Sequence, residues 1–203
     1  MPKRIDYADR VEAVREAAYE IALQEGSDAL GVPQVAERLC MSERTILRLI
    51  ASERALPLLA VQRADRLERN RLFRRSSYSE WMSRPAPHRA LATLLEQLPG
   101  DDASEDRQVW WTLVLAHART DWARAARAER EDLIAALAAE TMTDVADDAT
   151  RAREGAHLHF LVSGAVAQIC QGRSATYAQA DDIISRHVHD VLARLAAPDH
   201  DAA

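Results

Sequence analysis

The chain has 203 residues, of which 48% are hydrophobic and 29% charged, and this apolar content excludes a disordered chain. With 6 Gly and 7 Pro, the alanine- and leucine-rich composition disfavours a turn-rich β-sandwich and predicts an all-α protein. The net charge of -6 is uneven, because residues 1–75 carry 14 basic and 12 acidic side chains and residues 76–203 carry 12 and 20. Only the first segment is therefore suited to a polyanionic partner.

Three helices are predicted in the first 53 residues. A stripe of apolar residues predicts a helix over 6–25 that ends at Gly26. A two-turn helix follows with Gly31 at its N-cap, and Ser42 caps a third short helix after a tight turn. This order is typical of a helix-turn-helix, in which the last helix lies in the DNA major groove. A purely structural three-helix bundle would show the same stripes, so the periodicity alone leaves both interpretations open.

Residue identity favours DNA binding. Residues 5–61 resemble the DNA-binding domain of the TetR family of bacterial transcriptional regulators. The matching runs are Val35–Arg38 in the second helix, Met41–Ile46 across the turn and third helix, and Ser52–Leu56 at the start of a fourth helix. The resemblance implies an N-terminal helix-turn-helix domain followed by a helical ligand-binding and dimerisation domain.

Four positions depart from the residues usual in that family. Cys40 replaces a glycine, Leu47 a tyrosine, Ile50 a phenylalanine, and Glu53 the lysine that commonly contacts a phosphate. Ile50 stays apolar, but Glu53 brings a carboxylate near a polyanion, so we expect weaker DNA binding, offset by the adjacent Arg54. These departures motivate an alternative function, a TetR-like protein-binding module that has lost sequence-specific DNA binding.

The third helix carries side chains suited to reading a groove. Arg44 and Arg48 are four residues apart on one face, and a guanidinium can donate two hydrogen bonds to guanine. Thr45 is small enough to contact a thymine methyl or a phosphate, and short polar side chains near helix N-termini suit phosphate oxygens. The expected DNA-binding residues are Arg4 (as an N-terminal arm), Gln34, Ser42, Arg44, Thr45, Leu47, Arg48 and Arg54.

The resemblance implies three parts, namely a helix-turn-helix domain (1–53), a connector helix (54–75) and an effector-binding and dimerisation domain (76–203). In the last part a loop is predicted over 76–88, and a helix ends at Pro99. Ser104 is positioned to cap the next helix, and Asp121 starts a long one that runs to about Met142.

The last two apolar stripes lie within residues 155–195. TetR regulators pair their last two helices with those of a second copy, so the resemblance implies a homodimer and a palindromic operator with half-sites about 34–36 Å apart. Stripes that only close the core of one chain would look the same. The expected interface residues are Leu158, Leu161, Val162, Ala165, Ile169, Ile184, Val188, Val191 and Leu195.

Aromatic and polar residues between the connector and these stripes predict an effector pocket. They are Trp81, Trp110, Trp111, His117, Trp122, Met142, His157 and Phe160, each of which is individually more typical of a core. The two His-x-His pairs, at 157 and 159 and at 187 and 189, point to different faces of a helix, and neither cysteine has zinc-site spacing. We therefore expect no metal and no cofactor.

Together these features predict a cytoplasmic, ligand-responsive regulator, since no apolar leader and no run of about 18 apolar residues is present. A repressor is expected, one that binds a palindromic operator as a dimer and is released by a small-molecule effector. The sequence holds no nucleophile–base pair, no glycine-rich phosphate loop and no metal-ligand spacing, so an enzyme is not expected.

Overall fold

The computed structural model describes residues 7–76, 82–98, 105–143, 147–170 and 177–196. Every regular element within these ranges is helical, which confirms the all-α prediction, and none of the helices is long and apolar enough to span a membrane. The α-helices are α1 (Tyr7–Gln24), α2 (Val32–Arg38), α3 (Glu43–Ile50), α4 (Leu56–Ser76), α5 (Ala86–Leu95), α6 (Glu105–Ala116), α7 (Asp121–Thr141), α8 (Asp148–Cys170) and α9 (Tyr177–Ala196).

Most predicted boundaries agree with these helices to within one or two residues. Gly26 follows α1 with φ 91° and ψ 169°, an extended conformation with positive φ that glycine adopts without a steric penalty. One boundary is wrong, because α5 begins at Ala86, inside the loop predicted over 76–88. Pro87 lies in the first turn of α5, where the missing N–H costs little, so proline here marks a helix start and not a loop. The predicted cap Ser104 lies outside the described residues.

The described chain forms two compact units. The first contains Met1–Phe73 and Ser104–Ala126, so that α6 packs with the N-terminal helices. Its core is built from the inner faces of α1 to α4 and α6, with Val14, Ile21, Val35, Ile46, Leu56, Trp110 and Leu113 all buried. The hydrophobic contacts between these helices hold the helix-turn-helix in one arrangement.

The second unit contains Arg74–Ala103 and Arg127–Ala203. Its core is formed by Leu94, Leu98, Ile134, Met142, Leu158, Val162, Ile184 and Val188. Within this unit α8 approaches α7 closely at Gly155, where an added Cβ would stand 3.5 Å from the Cα of Ala139. Gln97 and Arg130 are both buried, and the Arg130 guanidinium donates to the Gln97 amide oxygen over 2.7 Å.

Candidate nucleic-acid interface

The turn between α2 and α3 has the geometry of a Schellman helix end. The Met41 N–H donates to the Ala36 carbonyl over 2.9 Å, and the Cys40 N–H donates to the Glu37 carbonyl over 3.1 Å. Cys40 occupies the left-handed position of this motif with φ 52°, where glycine is the usual residue. The cysteine therefore keeps the turn of a helix-turn-helix, at the cost of some backbone strain.

Helix α3 is fixed at both of its ends. Ser42 caps its start, with Oγ accepting from the Thr45 N–H over 3.2 Å. Ile46 and Ile50 are buried beneath the helix, and the Tyr7 hydroxyl of α1 donates to the Leu49 carbonyl over 3.0 Å. These contacts hold α3 rigidly, so the side chains on its outer face have defined starting positions.

The outer face of α3 carries the predicted reading residues. Arg44 and Arg48 are exposed one turn apart, as predicted, and Leu47 lies between them with 42% of its surface exposed. The structure brings six of the predicted DNA-binding residues together on α2, the turn and α3, and Arg54 follows shortly after. All of these residues are exposed except Thr45, which is half-buried; they are Gln34, Ser42, Arg44, Thr45, Leu47, Arg48 and Arg54. Arg4 lies outside the described residues.

The arginines of the first unit fall into two groups. Arg38, Arg63 and Arg66 are each paired with a glutamate of α1 or just after it; the Arg38 Nη2 atom, for example, lies 2.7 Å from Glu25 Oε1. The guanidinium groups of Arg44 and Arg48 form no ion pair or hydrogen bond with any residue that the structure describes. The positive charge of α3 is thus available to an external anion, whereas the paired charges next to α1 are not.

Glu53 has a structural role that the sequence did not reveal. Its Oε1 atom accepts a hydrogen bond from the Val32 N–H over 2.9 Å. Val32 opens α2, whose N-cap residue Gly31 has no side chain with which to satisfy this donor. Glu53 therefore caps α2 from 21 residues away, and its negative charge lies at the positive end of that helix.

Helix α6 is hydrogen-bonded to α1, which precedes α2 and α3 in the chain, and to α4, which follows them. Asp106 accepts hydrogen bonds from the Tyr19 hydroxyl of α1 and from the Arg71 guanidinium of α4. Burial raises the pKa of Tyr19, and the hydrogen bond to Asp106 raises it further, so the phenol stays protonated as a donor. The buried guanidinium of Arg107 lies 3.5 Å from the buried carboxylate of Glu68 on α4. A displacement of α6 would accordingly be transmitted to α1 and α4.

The predicted effector residues are distributed over both units. In the first unit, Trp110 and Trp111 are buried on α6 with their rings in an edge-to-face arrangement 4.7 Å apart. His117 and Trp122 form a second ring pair, with their centroids 5.6 Å apart. The second unit holds the other described members of the set, which are Met142, fully buried, and the exposed residues His157 and Phe160. Trp81 lies outside the described residues.

Two cavities lie close to these elements in the first unit. One of about 230 Å³ is lined by the end of α1, by Gly26 and Ser27, and by Gln108, Val109 and Thr112 of α6. The other, of about 380 Å³, includes His117 together with Asp28, Glu53, Arg54 and Pro57. Of the predicted effector residues that the structure describes, His117 lines one of these two cavities and the others line neither.

Most predicted interface residues face the interior of one chain. Five of them are buried within the second unit, where α8 packs against α9; these are Leu158, Val162, Ile184, Val188 and Val191. Leu161, Ala165 and Ile169 are half-buried, and the side chain of Leu195 lies outside the described residues. Among the described side chains of α8 and α9, the large apolar ones that are exposed are Phe160, with 75% of its surface exposed, and Ile183, with 56%.

Solved structures with the same architecture are known. A transcriptional regulator from Saccharomonospora viridis in complex with choline superposes with a TM-score of 0.69 at 19% identity, over 90% of this chain and 96% of that one. A TetR-family transcriptional regulator from Rhodococcus sp. gives a TM-score of 0.59 at 19% identity, over 91% and 99%. The multidrug binding protein EbrR, complexed with imidazole, gives 0.57 at 19% identity, over 88% and 94%. The chain has the fold of the TetR regulators. No protein-family model and no curated protein matches its sequence.

On this TetR fold, one polar cluster of α7 and α8 resembles a catalytic triad in composition only. Glu131 Oε2 accepts from the Ser163 hydroxyl over 2.6 Å and lies 2.8 Å from His159 Nε2. Burial alone would raise the pKa of Glu131, but the hydrogen bonds with Ser163 and His159, together with electrostatic attraction to His159 and Arg127, outweigh it, so the pKa lies below its ordinary value. The serine donates to the carboxylate and not to the imidazole, so this cluster does not have the serine–histidine hydrogen bond of a catalytic triad.

A second cluster was missed by the sequence reasoning. Glu154 and His157, one turn apart on α8, meet His187 of α9, and their ligand atoms all lie within 4.8 Å of one another. Each His-x-His pair lies within one helix, whereas this group forms across two helices. The available signal was the Glu-x-x-His spacing at 154 and 157, which places both side chains on one face.

Proposed function

We propose that the chain is a DNA-binding transcriptional regulator of the TetR type, acting as a repressor that binds a palindromic operator as a dimer. The observation that carries this proposal is the outer face of α3. Arg44 and Arg48 project there without an ion-pair partner in the described chain, on a helix anchored by Ile46 and Ile50. Unpaired guanidinium groups on a rigid helix are what bidentate recognition of guanine requires.

The capping role of Glu53 supports DNA binding over its loss. A free carboxylate at a phosphate-contacting position would repel DNA, but this carboxylate is hydrogen-bonded to Val32 and its charge is opposed by the α2 terminus. The adjacent Arg54 has a free guanidinium among the described residues and supplies a compensating cation. A glutamate at position 53 is therefore compatible with DNA binding that is weaker and sensitive to salt.

We place the effector's action on α6. The indole N–H of Trp111 is buried and has no hydrogen-bond partner in the described chain, and buried donors of this kind are uncommon in proteins. A small molecule that accepts this hydrogen bond and displaces α6 would pull on α1 and α4 through Asp106. If it binds the displaced state about 100-fold more tightly, the coupling is about 2.7 kcal/mol, enough to release an operator near half saturation. The choline and imidazole held by the compared structures support a small-molecule effector.

The dimer forms through the exposed faces of α8 and α9 in this proposal. The buried residues of the two apolar stripes hold α8 against α9 within one chain, which leaves Phe160 and Ile183 for a second copy. Gly164, one turn after Phe160, has open space where a side chain would stand, so a partner helix can approach closely there. Phe160→Glu combined with Ile183→Glu should give monomers in light scattering, whereas Phe73→Glu, an exposed residue of α4, should leave dimers.

Selection of random duplex DNA by the purified chain tests the proposal. An inverted repeat, with half-sites one helical turn or a multiple of it apart, is the expected product. Absence of any enriched sequence at low salt would contradict it. That outcome would favour the protein-binding alternative, for which the exposed Leu47 on α3 is the supporting observation.

A second experiment tests the role of α6. A panel of small molecules, beginning with choline and imidazole, would be screened for compounds that release the selected operator. Trp111→Phe should weaken an active compound by about 5- to 150-fold because it removes one buried donor, worth about 1–3 kcal/mol. Phe73→Leu, a substitution of an exposed aromatic residue of α4 outside the predicted effector set, should leave its effect unchanged. Equal loss in both variants would refute the assignment.

A further inference from the structure

Three metal-binding side chains converge where α8 meets α9. Glu154 and His157 lie one turn apart on α8, and His187 lies on α9. Glu154 Oε2 is 3.7 Å from His187 Nε2 and 4.0 Å from His157 Nδ1, and the two imidazole rings have centroids 4.6 Å apart. One carboxylate oxygen therefore faces two imidazole nitrogens from two different helices.

These separations are close to those of a zinc site. Ligand nitrogens about 2.0–2.1 Å from a tetrahedral ion are about 3.4 Å apart. The three atoms lie within 4.8 Å of one another, so small side-chain rotations, without movement of the helices, bring them to coordination distance. The carboxylate is also oriented for this role, because Arg153 lies 3.5 Å from its other oxygen, Oε1, and leaves Oε2 directed at the histidines.

The chemistry of the set restricts the ion. Two imidazoles and one carboxylate suit Zn²⁺ and neighbouring first-row divalent ions, whereas Mg²⁺ and Ca²⁺ prefer oxygen ligands. Glu154 is buried and His157 has 54% of its side chain exposed. The site is therefore closed by protein on the side of Glu154 and open to solvent on the side of His157. Three protein ligands with one open position is the arrangement of a zinc site that accepts water or an added ligand.

We propose that Glu154, His157 and His187 form a binding site for one Zn²⁺ or a similar transition-metal ion per chain. The ion would join α8 to α9 directly. This proposal concerns metal binding alone and does not depend on DNA binding or on the effector.

Calorimetric titration of the full, tag-free and metal-stripped chain with Zn²⁺ tests the site. One equivalent should bind per chain. Glu154→Gln, His157→Ala and His187→Ala should each weaken binding by roughly 10–100-fold or more. Loss of a residue that only hydrogen-bonds to a metal ligand already has that effect, and loss of the ligand itself should cost at least as much. His189→Ala is the matched control, because it removes an exposed histidine from the same helix without touching the cluster, and it should leave affinity unchanged.

Two further measurements separate loss of the site from loss of the fold. The first is the thermal unfolding of each variant in the presence of chelator. The unfolding temperature of His157→Ala should match that of the wild type, because the side chain of His157 is half exposed. This variant therefore tests the site even if His187→Ala is unstable. The second is the NMR spectrum of the histidine side chains, in which Zn²⁺ should shift the ring resonances of His157 and His187 but not those of His88. Wild-type affinity in folded His157→Ala, or absence of stoichiometric binding by the wild type, would overturn the proposal.

Discussion

Glu53→Lys should lower stability and strengthen DNA binding at the same time. The substitution removes the acceptor 2.9 Å from the Val32 N–H and places a cation at the positive end of α2. Loss of a cap costs about 1 kcal/mol, and reversal of the charge at the helix end adds about 0.3–1 kcal/mol at an exposed position. The unfolding midpoint should fall by roughly 2–4 °C for each kcal/mol in a chain of this size.

The DNA side of this prediction has the opposite sign. A lysine that reaches one phosphate in each half-site should steepen the dependence of log affinity on log salt by about 0.9 per contact. Glu53→Gln separates the two effects, since its amide oxygen can keep the hydrogen bond while the charge is removed. Anisotropy titrations at several salt concentrations and thermal melts of the three proteins provide the readouts. A Glu53→Lys protein as stable as the wild type would show that Glu53 does not cap α2.

Three further predictions concern stability. Cys40→Gly should stabilise the fold by about 1 kcal/mol in urea unfolding, because glycine relieves the left-handed strain at φ 52° but loses more backbone entropy; a destabilised variant would refute this. Arg107→Ala should cost about 3–5 kcal/mol by leaving the carboxylate of Glu68 buried without this guanidinium, and a cost below about 1 kcal/mol would contradict burial of the pair. Because the folded pKa of Glu131 is lowered, its stabilisation is complete above its unfolded pKa near 4.5 and is lost as the pH falls through the folded value. Unfolding free energies of the wild type and Glu131→Gln should therefore converge in acid, and a constant difference would exclude that linkage.

Local patterns predicted the fold well because each signal acts within a few residues. The cap at Ser42, the stop at Gly26 and the apolar spacing of each helix depend on nearby backbone, so they could be read from the sequence. The exposed positions of Arg44 and Arg48 follow from the same periodicity, once Ile46 is assigned to the core.

Contacts between distant segments could not be predicted in this way. The cap that Glu53 provides for α2 joins residues 21 apart, and no local pattern marks it. The buried stripes of α8 and α9 fit a monomer core and a dimer interface equally well, and only the packed structure shows that Val162 and Ile184 are covered within one chain. The meeting of His157 with His187 likewise depends on how two helices pack.

In the proposed function, α3 reads DNA through Arg44 and Arg48. The most direct measurement is the affinity of the selected duplex for the wild type, for an Arg44→Ala, Arg48→Ala variant, and for an Arg124→Ala, Arg186→Ala control. The control removes the same charge from two exposed arginines on α7 and α9, each of which is paired with an aspartate of its own helix. Each lost base contact should cost about 1–3 kcal/mol, so the α3 variant should lose sequence preference while the control binds like the wild type. Equal affinities for all three proteins would show that Arg44 and Arg48 do not contact the operator.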